Sequence, residues 1–503
     1  MDAAGSFAPS LRAALIEADV IVVGAGGSGL AAASEAARHA GSVIVLEKNP
    51  HPGGSTSWSV GSVTATRTPH QRKAGIEDSP DEHFEDMALG AGALASRDNL
   101  ALRRILVDRM PETIDWLQSL GVVFVGPMPE PPHRYPRMHI VVPNSTAFAH
   151  RLTRHCRALG VDIRFNAESQ RLLEENGRVV GVEARLVDGA TEEFRARRGV
   201  VLAAGDYSNG RELKARYASP DVVEVVAVNE TATGDGHRMA LELGATVING
   251  DIVRGPIMRF IPPTRSSVLQ KLPPATAVSR LVAWSYENLP QRLLRPFLLR
   301  FLATALGPSP QLYEQGAILV NRQARRFTDE LASPNLDVAR QPGRVAWIVF
   351  DGTVADRFSV WPYYVSTAPG VAYAYLADYR RNRADIYHRS GTLEGLAMSI
   401  GVPADALVQS VREYNEGARR DRPAIETAPF YALGPAKSYV VFTDGGLNVT
   451  ERLEVVRGDG NVIPGLYAAG SNGQGGLLLE GHGHHLGWAF VSGRIAGRNA
   501  SRG

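Results

Sequence analysis

Short runs of consecutive apolar residues, each closed by glycine or an acidic residue, punctuate this chain at both ends. Val20–Val23 is the first, and its β-branched composition suits a strand buried on both faces. An alanine-rich stretch from Ser28 predicts a helix, and Val43–Leu46 predicts a second strand ending at Glu47. The pattern returns in Arg178–Gly181 and Gly199–Gly205, and again in Leu466–Gly470 near the end. Strands alternating with helices predict an α/β fold with a parallel sheet. The last run predicts that this sheet is assembled from both ends of the chain. Between them, TLEGLAMSIGVPADALVQSVREYNEGA predicts two short amphipathic helices joined at Gly401, Val402 and Pro403.

Chemistry enters at the first turn. Gly24, Gly26 and Gly29 follow the first strand at G-x-G-x-x-G spacing and open the alanine-rich helix. Such glycines permit a tight turn, close approach of a pyrophosphate and close helix–strand packing. The free N–H groups and positive end of the helix then hold the phosphates. Glu47, at the end of the second strand, is placed to accept ribose hydroxyls. The turn therefore predicts a dinucleotide. The next segment, with Gly53, Gly54, Ser55 and Thr56, selects among dinucleotides. A second glycine-rich turn carrying hydroxyls suits the pyrophosphate and ribityl chain of FAD and has no role around a nicotinamide cofactor.

Composition removes other classes. Lys+Arg 54 against Asp+Glu 52 gives a net charge of +2, which supplies no field for nucleic acid or an anionic membrane. Cys156 is the single cysteine, so an internal disulfide and a Cys-based zinc site are excluded, as suits a reducing cytoplasm. The N-terminus lacks the basic-then-apolar order of a signal peptide. No apolar run approaches the roughly 18 residues of a membrane span. The expectation is a soluble, cytoplasmic protein acting on a small molecule, with its electron donor or acceptor and its oligomeric state unspecified.

Taken together, GAGGSG, LEKN, PGGST, VVLAAG, ATGDG, GAILVNRQARRFTDE, GLYAAG and SGRIAG resemble the FAD-dependent fumarate reductase and 3-ketosteroid dehydrogenase superfamily. The resemblance runs through essentially the whole chain. It implies a split Rossmann-like FAD-binding domain of the glutathione-reductase type over residues 15–252 and 426–503. An α+β capping domain, residues 253–425, is inserted between the two parts. Substrate would bind where cap and flavin meet. Carried over residue by residue, Gly24, Gly26, Ser28 and Gly29 would hold the pyrophosphate, and Glu47 and Lys48 the adenosine ribose. Gly54, Ser55, Thr56 and Gly61 would line the pyrophosphate and flavin edge, and Ser169 would approach the adenine through its backbone. Gly205 and Asp235 would lie under the centre of the cofactor, and Gly470 at the ribityl side. Ser471 stands where relatives carry Glu. The resemblance favours dissociable over covalent FAD.

The tail SNGQGGLLLEGHGHHLGWAF is the most concentrated chemistry in the chain. Three histidines could suggest a metal, but metal-ligating histidines sit on rigid elements with carboxylate support. This is a glycine turn, and no metal is expected. The resemblance makes it the turn that enters the last helix under the flavin, with His485 and Leu486 touching the flavin through backbone N–H groups. Gly483 would offer its N–H to a substrate carbonyl. Glu480, His482 and His484 either face the substrate as acid, base or anchor, or fill the turn.

Three departures restrict the substrate. Pro334 stands where fumarate reductases place a proton-donating Arg, Glu480 at a clamping Arg, and Phe442 at a clamping His. A carboxylate substrate would meet repulsion at Glu480, so fumarate and succinate are not expected. The steroid dehydrogenases' tyrosines are also absent, with Leu479 at one position and Pro334 and Asn335 at the other. The reading is therefore a dehydrogenase or reductase that moves a hydride at a carbon next to a carbonyl. Its substrate is neutral, steroid-like or another cyclic ketone or enone. A flavin oxidase and the flavin subunit of an electron-transfer complex are the alternatives. In the cap, Trp361, Tyr363 and Tyr364 are catalytic candidates or core packing. A basic apolar segment with Arg292, Arg295 and Arg300, broken by Pro296, is a cap helix or a peripheral membrane contact. Hinges are expected near Asp251–Gly255 and Arg419–Pro423.

Overall fold

The computed structural model describes residues 16–263, 272–290, 299, 306–368, 372–418 and 421–503. The N-terminal leader, the basic segment around Arg292, Arg295, Pro296 and Arg300, and residues 419 and 420 of the second expected hinge lie outside the described residues.

The first strand extends over Ile16–Val23 and the second over Val43–Glu47. They pair in parallel, Val20 opposite Val43 and Val23 opposite Leu46. Every residue from Ala18 to Val23 is buried, as a run without polar alternation requires. The strand Thr191–Leu202 lies on the other side of the first, again in parallel. Beyond it comes Val462–Ala468, with Leu466 opposite Val200. The eight-stranded sheet thus joins strands from the start of the chain to two outer ones from its end, Val462–Ala468 and, beyond it, Glu454–Val456. The last helix, His484–Ala500, packs on the first, Gly27–Ala36. Small residues let the backbones meet: a Cβ added at Gly497 would lie 2.1 Å from the Ala32 carbonyl oxygen.

A second, antiparallel sheet of five strands joins Ile257–Phe260, Ile318–Val320, Ala346–Phe350, Tyr387–Ser390 and Phe430–Tyr439. It takes in Phe430–Tyr439, which the boundary expected at 425/426 assigns to the other part of the chain. Alternation along Ala346–Phe350 gives this sheet two cores. Ala346, Ile348 and Phe350 face one, while Trp347 and Val349 face a second. The second is covered by Leu393–Ile400 and Ala404–Glu413, the two helices read from the sequence, with Gly401 in the left-handed conformation between them.

The sheets meet along a narrow ribbon. Val253–Arg254 pairs with Phe442–Thr443, Arg254 directly opposite Phe442. The ribbon carries the chain out of the first part and back into it. It also delivers Arg254 to the glycine turn before the last helix.

Candidate active site

Two kinds of glycine occupy the nucleotide-binding turn. At Gly24 and Gly29 a Cβ would lie 2.5 Å from the Ala203 carbonyl oxygen and 1.9 Å from the Gly24 carbonyl oxygen, so these positions serve strand–helix packing. At Gly26 the nearest atom would be the Gly53 carbonyl oxygen at 3.9 Å, at Gly54 the Gly26 Cα at 3.9 Å, and at Gly205 nothing lies within 4 Å. These three border open space. Gly26 caps the first helix with no side-chain partner, leaving its positive end available to an anion. Nearby, the buried hydroxyl of Ser169 has no hydrogen-bond partner, although the residue lies in a strand opposite Ala184.

The other expected cofactor residues gather around this cradle. Glu47 accepts the Ala25 N–H at 2.7 Å on one carboxylate oxygen and the Asn49 N–H at 2.9 Å on the other. The oxygen facing Asn49 also takes its side-chain amide at 2.8 Å, so the other alone keeps a lone pair. Lys48 donates to Asp235 at 2.7 Å and to Thr233 at 2.6 Å, which ties two predicted contacts together. Ser55 accepts from Asn229 at 2.8 Å, and Thr56 accepts the Gly27 N–H at 3.0 Å. Gly470 donates to Ser492 at 2.8 Å and abuts Ser28, whose Oγ would lie 2.6 Å from a Cβ added there. Ser471 is half-buried and Leu486 buried. Gly61 is a correction. Its N–H goes to Ser59 and its carbonyl to Val141, so it seats the strand Ser62–Thr64 and lines no cradle. An open glycine-lined space, an uncapped helix end, a carboxylate with one oxygen still open and an unpartnered buried hydroxyl fit the polar parts of FAD.

At the tail turn, the backbone of His482 is held from two sides. Thr64 Oγ1 donates to its carbonyl at 2.6 Å, and its N–H donates to Glu130 at 2.7 Å. Glu130 also takes the Nδ1 of His482 at 2.5 Å, leaving an exposed ring whose Nε2 is open. The Glu130 hydrogen bond raises the His482 imidazole above its ordinary value of 6.5, outweighing partial burial. Burial works against the Glu130 charge, but His482 prevails and lowers that carboxyl.

His484 is a second correction. Its ring is buried, with Nδ1 on the Glu480 carbonyl at 2.5 Å and Nε2 against His83 Nε2 at 2.9 Å. Nδ1 must donate to a carbonyl, so His83 donates to His484 Nε2. Both nitrogens of His484 are committed and neither can serve a substrate. Burial, then the neighbouring His133, pushes it down to about 3.

Glu480 meets Arg254. One guanidinium nitrogen bonds the Glu480 carboxylate, and Nε donates to fully buried Asp444 at 2.8 Å. Burial opposes the Arg254 charge, but Asp444 and Glu480 together hold it above its ordinary value. Gln474 donates to Asp444 at 3.1 Å. His485 Nε2 stands 3.6 Å from the same carboxylate, its ring 4.0 Å from that of Phe442, and burial holds it below its ordinary value. Pro334 opens the helix Pro334–Ala339 and carries no proton.

The cap tyrosines are not brought to the turn. Tyr363 packs on Phe358 and the first cap core, and Tyr364 on Tyr373, with exposed Trp361 beside it. Among the described residues, neither tyrosine makes a hydrogen bond or ring contact with residues 480–485. Arg254, Asp444 and Glu130 were missed by sequence reading. Arg254 lies 190 residues from Asp444, and Glu130 lies 352 from His482, and no spacing motif links them.

Residues 19–257 and 296–477 match the family described as an FAD binding domain. The probable fumarate reductase Ifc3 of Shewanella frigidimarina (strain NCIMB 400) is 26% identical over 505 residues, which cover 96% of this chain and 74% of that protein. The urocanate reductase of Eggerthella lenta is 27% identical over 520 residues, 96% and 75% respectively. The vinyl phenol reductase of Lactiplantibacillus plantarum is 26% identical over 517 residues and covered over 96% of both chains. Among solved structures, the open conformation of a flavocytochrome c3 fumarate reductase superposes with a TM-score of 0.70 at 25% identity, covering 97% of this chain and 78% of that one. The 3-ketosteroid-delta4-(5alpha)-dehydrogenase of Rhodococcus jostii RHA1 does so at 0.59 and 25%, covering 98% and 99%.

Proposed function

Because the chain belongs to the FAD binding domain family and is an FAD-dependent oxidoreductase, we propose that it oxidises or reduces a C–C bond next to a carbonyl, in a substrate whose reacting end is neutral. The observation that carries this reading is the Arg254 guanidinium shared between Asp444 and Glu480. A carboxylate arriving at the turn would find its cation already neutralised twice, and would face a net negative charge. The relatives allow such a substrate: the one named for vinyl phenol acts, by that name, on a compound without a carboxylate.

Gly24, Gly26, Ser28, Gly29, Glu47, Lys48, Gly54, Ser55, Thr56, Ser169, Gly205, Asp235 and Gly470 would hold the FAD, with Ser471, His485 and Leu486 at its tail-turn side. Bound FAD supplies the hydride acceptor or donor. The chain supplies the rest. The Gly483 N–H, at the start of the last helix, offers a hydrogen bond and a positive dipole end to the substrate carbonyl. His482, pinned by Thr64 and Glu130, presents Nε2 as the proton donor in reduction or acceptor in dehydrogenation. Glu480, ion-paired with Arg254, keeps anions out.

Anaerobic titration of the purified yellow protein tests this reading. Cyclic ketones or enones, simple or steroidal, should bleach the oxidised flavin or reoxidise the reduced one, while succinate and fumarate should do neither. Turnover of succinate or fumarate would overturn the reading.

A further inference from the structure

The helix Thr276–Asn288 has two unlike faces. Ser279 and Ala283 are buried, and Ala283 packs with Val125, Met128, Met138 and Val142. Those residues belong to the strands Val123–Met128 and Met138–Val142, whose other face, with Phe124 and Val141, meets the main core. Ser62–Thr64 forms the far edge of this sheet, and Thr64 holds the tail turn. The helix thus lies on the outer side of the sheet that borders the turn. On its own outward face, Ala277, Leu281 and Trp284 follow at i, i+4 and i+7. Leu281 is 63% exposed and Trp284 55%, where a solvated helix face carries polar residues. Exposed Arg280 flanks the stripe, and Glu287 beside it pairs with Lys73 at 2.7 Å. The sequence around the helix has one sign. Residues 261–313 carry Arg265, Lys271, Arg280, Arg292, Arg295 and Arg300 against a single acid, Glu287.

A stripe of Leu and Trp flanked by cations fits a bilayer surface. There the apolar side chains enter the headgroup boundary, the indole sits at the interface, and arginines reach the lipid phosphates. A second copy of the chain fits less well, because a two-fold interface would set this cationic face against itself. We propose that the outer face of Thr276–Asn288 docks the protein on a membrane surface of anionic phospholipid, with Leu281 and Trp284 inserted and Arg280 on the phosphates. The net charge of +2, which speaks against such a partner for the chain as a whole, averages over this asymmetry. The attraction is local, since it fades within a screening length of about 10 Å at 0.1 M salt. The docking face is independent of the reaction assigned to the tail turn.

The test uses the FAD-loaded full chain and its Leu281→Gln, Trp284→Gln and Arg280→Gln variants. Met398→Gln, which removes an exposed apolar side chain from the helix Leu393–Ile400, is the control. The probes are vesicles of phosphatidylcholine alone and of phosphatidylcholine with phosphatidylglycerol, read by co-sedimentation. The wild type should bind the anionic vesicles at least about tenfold more tightly than the neutral ones. It should lose that preference in about 1 M salt, where the screening length is about 3 Å. Leu281→Gln and Trp284→Gln should each weaken binding to anionic vesicles at least about tenfold. Arg280→Gln should weaken it about fivefold, and Met398→Gln should leave it unchanged. All four variants should melt with the wild type, since each side chain is exposed. No binding, equal binding to both vesicles, or an equal loss in the control overturns the proposal. A wild-type dimer that Trp284→Gln converts to monomer, without vesicle binding, gives the face to a second copy and overturns it. Variants that melt lower and bind vesicles as the wild type does give the stripe to another part of the same chain, which also overturns it.

Discussion

Asp444 and Arg254 pair where the cap ribbon reaches the tail turn, the carboxylate fully buried and its partner a quarter exposed. Removing a single member of such a pair strands the other charge in low dielectric. Arg254→Gln should therefore cost about 3 kcal/mol, at the lower end of the range because Gln474 still donates to Asp444. Denaturant unfolding of the FAD-loaded protein checks this value.

Glu480 is the outer partner, and its loss should act on binding more than on stability. Glu480→Gln frees one arm of Arg254 and raises the local charge by one. Succinate should then perturb the flavin spectrum with an affinity at least about tenfold higher than in the wild type, about 1.4 kcal/mol. Stability should change by no more than about 1 kcal/mol. Unchanged succinate binding would show that Glu480 does not govern substrate charge.

The two kinds of glycine in the first turn predict opposite failures. Gly26→Ala adds a methyl to open space and leaves the fold intact, with FAD affinity lowered at least about tenfold. Gly29→Ala drives a methyl into the Gly24 carbonyl and should abolish soluble folded protein. Far-ultraviolet circular dichroism and flavin content separate the two outcomes.

The contrast shows what the sequence made legible. The nucleotide turn, the parallel strands and the contribution of the chain's end could be read because each is local: glycine spacing, apolar runs and helix starts lie within a few dozen residues. The cap helices around Gly401 were legible for the same reason. His484 could not be told from His482 by its neighbours. One is buried because His83 arrives from 401 residues away, and the other is anchored by Glu130 from 352 away. The Arg254 pairs escaped for the same reason. Glu480 read as a bare negative charge, whereas it is one side of a three-membered network.

His482 and Glu130 give the site its own pH limb. His482 has a folded pKa above 6.5, so its stabilisation is complete below pH 6.5 and is lost as pH rises through the raised value. Glu130 is depressed below 4.5, so its share is present above pH 4.5 and is lost on acidification through the lowered value. Both contributions are complete between those limits. If His482 is the proton donor, reductive activity should fall as pH rises through its raised pKa. Glu130→Gln should move that limb toward lower pH, and NMR titration of the His482 ring should follow it.

The buried histidines work in the opposite sense and set acid stability. His484 is pushed down to about 3 and His139 and His237 to about 4, in each case first by burial, and His83 is lowered further by His484 and Arg137. Unfolded, each takes a proton near pH 6.5; folded, it does not. The unfolded state therefore binds more protons below pH 6.5, and stability rises with pH across that window. Each such histidine should remove about 1.4 kcal/mol per pH unit once the pH is well below 6.5 and above its folded value. Urea unfolding at pH 7.5, 6 and 5 should show a steepening loss. His139→Gln, which keeps a polar group beside Thr68 but cannot titrate, should reduce the slope by one histidine's share. A flat profile from pH 7.5 to 5 would mean that these rings take up protons in the folded state and that the burial of His83 against His484 is looser than described.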